Sequence, residues 1–132
     1  METAKPRNPE FHRTEDFAEV YANNVNFEPS VFDLKILFGQ LNQAFDPNII
    51  EQHTAVTMVW TEVKLMLHFL TIQLAAFEEV HGKILLPPSV LPPAPQEPDE
   101  ELAKAEPRSV LIYQLIKRIH DEFVKNSVVP TP

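Results

Sequence analysis

Polar and apolar positions alternate twice in the first half of the chain and then give way to a helical period. Residues 17–28, FAEVYANNVNFE, set Tyr21, Asn23, Val25 and Phe27 on one face and Val20, Ala22, Asn24 and Asn26 on the other. Pro29-Ser30 is a turn signal. VFDLKILFG then places Phe32, Leu34, Ile36 and Phe38 on one face, with Asp33 and Lys35 opposite. A hairpin closed at Pro29-Ser30 matches the polarity of both faces if Phe27 lies opposite Phe32, Val25 opposite Leu34, Asn26 opposite Asp33 and Asn24 opposite Lys35. Pro at the first turn position suits type I or II turns rather than the mirror-image turns of tight hairpins, so a longer, bulged loop is the alternative. Residues 39–48 read as a connection turning at Asp46-Pro47-Asn48. Residues 49–60, rich in β-branched side chains, read as a third strand.

The stretch from Trp60 to Gly82 organises the rest. It has no Pro and no internal Gly. Thr61 is the expected N-cap, Glu62 suits the positive end of the dipole, Trp60 and Leu65 fit a hydrophobic staple, and Gly82 can take a left-handed C′ conformation. On a wheel of about 100° per residue, the apolar side chains cover roughly 220°, leaving Lys64, His68, Thr71, Glu78 and Glu79 on the remaining stripe. A helix on one sheet needs little more than about 100° of apolar surface, so this one calls for two packing partners. One is the sheet; the other is a second subunit or the C-terminal helix. Leu65, Phe69, Ile72, Gln73 and Ala76 are the candidate dimer or partner interface. Gln73 is either an amide at the edge of that interface or a polar group that fixes the register of a helix pair.

The segment KILL after Gly82 is a brief edge strand or an extended cover. Seven of the thirteen prolines fall within residues 87–107, which predicts an extended, polyproline-like acidic spacer rather than a packed element. A proline-rich ligand for an aromatic groove has the same composition. Asp99-Glu100-Glu101 can open a helix, and Pro107 either kinks it or begins a new one at its first position. From there to Asn126, Ile112, Leu115, Ile119 and Phe123 recur at helical spacing, a candidate partner-binding face. The reading is therefore a tail over 1–16, a β-β-β-α core over 17–86, the spacer over 87–106, an amphipathic helix over 107–126 and a second tail over 127–132.

Tyr21 and Asn23 in the first strand, Phe32, Leu34 and Ile36 in the second, and Phe77-Glu78 followed by Gly82 at the end of the helix together resemble a family of short prokaryotic proteins classed as a domain of unknown function. The resemblance covers roughly residues 17–86, rests on packing motifs, and implies the β-β-β-α core without supplying catalytic residues. The strand ending in Phe27-Glu28 is also similar to the start of the acidic protein-export chaperones, but a fourth strand and long paired helices are lacking.

Composition narrows the chemistry. The 132 residues include no Cys, which removes disulfides, thiol nucleophiles and Cys-ligated zinc. Two glycines cannot make a GxGxxG or P-loop phosphate cradle. A net charge of −8 opposes nonspecific nucleic-acid binding. No apolar run has membrane-spanning length, and the polar start lacks a signal-peptide h-region, so the expected compartment is the cytoplasm, with no membrane partner. Glu78-x-x-His81 has the spacing used in di-iron bundles, but a single copy lacks the facing ligands; His68 and His53 read as surface residues. Ser30, Ser89, Ser109 and Ser127 lack a nucleophile-elbow context. Asp33 with Asn24, Asn26 and Lys35 is either a solvated sheet face or a polar binding strip. The expectation is α+β: a three-stranded antiparallel sheet packed on one long helix, with a tethered C-terminal helix. The function expected is a noncatalytic, homodimeric interaction or structural module without cofactor or metal. The alternative is a holdase-like chaperone or secretion adaptor using the same helix surface, with an enzyme third.

Overall fold

A computed structural model describes residues 3–41, 46 and 48–128. The chain is α+β: strands β1 (Asn24–Pro29), β2 (Asp33–Leu41) and β3 (Ile50–Val59), then helix α1 (Trp60–His81), a 3-10 turn at Pro88–Val90, and helices α2 (Glu100–Ala105) and α3 (Pro107–Ser127). The sheet is antiparallel in the order β1-β2-β3. Two compact units, Met1–His68 and Phe69–Pro132, divide the chain inside α1.

Alternation assigns the sheet faces correctly. Val25 and Phe27 of β1, Leu34, Ile36 and Phe38 of β2, and Val56 and Met58 of β3 share the apolar face. Its centre is the only buried apolar surface among the described residues: Leu34 is 8% exposed and Ile36 3%. The hairpin register differs from the expected one. Phe27 pairs with Ile36, not Phe32, and Glu28 with Lys35, so β1 sits four residues further along β2. Phe32 lies at the hairpin tip, 82% exposed.

The shift is even, so it leaves every side chain on its expected face, and polarity cannot distinguish the two registers. The turn decides. Ser30 N–H donates to the Asp33 carbonyl at 2.8 Å. The Ser30 hydroxyl donates to Asp33 Oδ1 at 2.9 Å and accepts from the amides of Phe32 and Asp33 at 3.1 Å each. With no residue of the tip at positive φ, it is not a mirror-image turn. Serine supplies the partners that backbone geometry would otherwise provide.

The first strand is shorter than residues 17–28 suggested. It begins at Asn24, paired with Gly39 near the end of β2. Asn23 closes the ladder: its amide donates to the Gly39 carbonyl at 3.1 Å, and its Oδ1 accepts from the Leu41 amide at 2.8 Å. Beside it, β3 carries a bulge. Phe38 pairs with Thr54 but Gly39 with Gln52, so His53 is the extra residue. His53 Nε2 lies 2.8 Å from the Tyr21 carbonyl and Nδ1 2.8 Å from Thr54 Oγ1. A carbonyl only accepts, so Nε2 carries a proton; in the neutral ring the threonine hydroxyl is then the donor to Nδ1. The imidazole thus ties β3 to the segment before β1, past Gly39. A Cβ on Gly39 would stand 2.9 Å from the Glu51 carbonyl and 3.0 Å from Ile50 Cγ2. Gly39→Ala should therefore destabilise the sheet by about 1–3 kcal/mol, the usual cost of overpacking, read as a lowered urea midpoint.

At the expected turn, Asp46 Oδ1 accepts from the Asn48 amide at 2.9 Å; Pro47 lies outside the described residues. β3 passes into α1 without a loop. The helix starts at Trp60, which places the expected cap Thr61 inside the first turn. The Trp60 indole donates to the Ser30 carbonyl at 3.0 Å, fixing the helix start to the hairpin tip.

Candidate functional site

α1 forms because 22 consecutive residues carry no helix breaker, and it stops where Gly82 takes φ of 90° and donates to the Glu78 carbonyl at 2.9 Å. None of its residues is buried. Leu65, Phe69, Ile72, Gln73 and Ala76 are all exposed, Phe69 to 59% and Ile72 to 49%. These residues recur at three- and four-residue spacing, so they make one continuous stripe.

At the end of α1 the chain is held by polar contacts that the sequence did not reveal. Glu78 Oε2 accepts from the Ile84 amide at 2.8 Å, while the Phe77 and His81 rings lie 4.6 Å apart and tilted. Glu78 and His81, the one sequence pattern suggesting metal ligands, thus make local contacts around the helix terminus. Among the described residues no group of three or more His, Asp or Glu stands close enough to hold a metal ion. The KILL segment runs extended: Leu86 N–H donates to the Ser127 carbonyl at 2.6 Å and forms a parallel bridge with Val128. A cavity of about 410 Å³ opens there, lined by the apolar Leu74, Ile84, Leu86 and Phe123 and by polar residues that include Glu78 and Lys83.

Asp99 caps α2 through Oδ1 to the Leu102 amide at 2.8 Å, and Pro107 occupies the first turn of α3. Part of the proline-rich stretch lies against α3. Pro95 and Pro98 are half-buried and line a groove of about 580 Å³ with Leu102, Ile112, Tyr113 and Ile116. Tyr113 escaped the sequence reading; an aromatic on a helix that follows several prolines was the available signal. Of the α3 face, Ile112 borders this groove and Phe123 the cavity near α1, while Leu115 and Ile119 are exposed. On the opposite side Lys117 Nζ donates to Asp121 at 2.6 Å, and that carboxylate holds the ammonium pKa above its usual value.

The polar sheet strip separates into local partnerships. Asp33 accepts from Ser30, Asn26 Oδ1 accepts from the Phe27 amide at 2.9 Å, and Lys35 pairs with Glu28 across the strands at 3.7 Å. No convergent set of polar groups forms among these residues. Exposed apolar side chains lie on the α1 stripe and on the sheet face, Val25, Phe27 and Val56 among the latter.

Residues 1–86 match the model of a family described as a protein of unknown function, DUF3467. Neither the curated proteins nor the solved structures contain a match. No helix among the described residues is long and apolar enough to cross a membrane.

Proposed function

The chain belongs to the DUF3467 family, and from that premise we propose that it is a noncatalytic cytoplasmic interaction or structural module that works as a homodimer. The observation that carries the reading is how little apolar surface one chain covers. Among the described residues the buried apolar side chains are Leu34 and Ile36, and none of the described residues from 69 to 128 is buried. A twofold contact places the same patch on both subunits, and the patch proposed for it is the α1 stripe of Leu65, Phe69, Ile72, Gln73 and Ala76.

A catalytic role has no support in convergent polar groups, and the net charge of −8 argues against a nucleic-acid partner. Sedimentation equilibrium at tens of micromolar tests the proposal: a dimer is expected, and a folded monomer overturns it. In the monomeric outcome the same stripe becomes a client-binding surface, as in a holdase or secretion adaptor. Suppression of aggregation of an unfolded protein would then be the measurement. The face of Ile112, Leu115, Ile119 and Phe123 is the place for a second, different protein.

A further inference from the structure

β3 is an edge strand, and its second half carries none of the features that keep edges from pairing. Protective devices are charge, proline, bulges and short length. The other edge, β1, has six residues and carries Glu28 and Pro29. In β3, Glu51 and the His53 bulge guard only the first part. Thr54–Val59, TAVTMV, is uncharged, β-branched and free of proline.

Backbone direction shows what this edge offers. The Leu41 amide and the carbonyls of Asp33 and Gly39 all point to the β1 side of β2. Because successive residues alternate, Leu34, Ile36 and Phe38 turn their backbone groups toward β3. Their partners Met58, Val56 and Thr54 turn inward to meet them, which leaves the amides of Ala55, Thr57 and Val59 directed to the open edge.

We propose that this edge pairs antiparallel with the same edge of a second copy, joining two three-stranded sheets into one six-stranded sheet across the dimer axis. The inference rests on the homodimer reading and adds a specific contact to it. An antiparallel strand is its own complement about a twofold axis. Two registers, with Val56 or Thr57 on the axis, pair outward residues with outward residues. In both, the face carrying Val56 and Met58 runs on into the partner's apolar face. Charge also favours self-pairing: Glu51 falls beyond the paired segment in either register, so no like charges meet. α1 starts within four residues of the axis, about 13 Å at strand rise, which brings the first residues of both α1 helices close to the same axis.

Hydrogen exchange on the full chain, followed amide by amide, reads the edge directly. Free edge amides exchange rapidly; paired ones are protected. In a sample that sediments as a dimer, Ala55, Thr57 and Val59 are expected to be protected like the inward amide of Val56. Protection should be lost in Thr57→Pro, which removes one outward N–H and no bond to β2. Because the chain has no Cys, Val56→Cys and Thr57→Cys provide a second readout: one of them should give a disulfide-linked dimer on oxidation. A dimer whose three outward amides exchange freely, with neither cysteine linking, overturns the edge contact and leaves the homodimer standing. A monomer overturns both. Protection in a monomer overturns the edge contact too, because the chain would then be covering its own edge.

Discussion

Ile72→Glu is expected to convert the proposed homodimer into monomers or leave the chain unfolded. Ile72 lies at the centre of the α1 stripe, one turn from Phe69 and four residues before Ala76, and it is half-exposed within one chain. In a twofold contact the substitution puts two carboxylates into the apolar centre with no cation facing them. An unpaired charge at such a site costs about 3–5 kcal/mol, and about 4 kcal/mol raises a dissociation constant on the order of a thousandfold. Sedimentation across a range of concentrations measures that change. Circular dichroism separates a folded monomer from an unfolded chain, and Phe69→Glu should behave the same way. Lys64→Gln, on the polar stripe, should leave the dimer intact; dissociation by that change as well would place the interface elsewhere on the molecule.

Ile36→Ala should have the largest effect on the sheet. Ile36 is the most buried apolar side chain, flanked by Phe27 and Val56 in the same cross-strand row and by Leu34 and Phe38 along β2. Truncating a buried Ile removes its transfer free energy and leaves a cavity, together about 2–5 kcal/mol. Natural domains have only about 5–15 kcal/mol in total, and this sheet has just two buried apolar side chains to draw on. The expected result is a steep fall in the urea midpoint or no cooperative transition at all. Val31→Ala at the hairpin tip, where Val31 is exposed, should change stability by less than about 0.5 kcal/mol. Equal effects of the two substitutions would mean that Leu34 and Ile36 are not the core.

Much of this architecture follows from local rules that a sequence carries openly. Period-2 alternation placed Leu34 and Ile36 on the buried face, because a strand turns successive side chains to opposite sides whatever its partner. An unbroken run of helix formers up to Gly82, Asp99 ahead of an acidic turn, and Pro107 at a helix start were each legible, because capping and breaking act within a few residues. The tertiary structure alone decided the pairing. A four-residue slip keeps every face in place, so Phe27 meets Ile36 only because the Ser30 hydroxyl organises the tip with Asp33. The His53 bulge, the space that Gly39 leaves beside it and the Asn23 bond to Leu41 join residues of β2 and β3 to the segment that precedes β1. Tyr21 and Asn23 thus read in sequence as two ordinary strand positions. Their carbonyl and amide groups acquire a role only when β2 and β3 bring Leu41 and His53 to them, because a hydrogen bond depends on distance in space rather than separation along the chain.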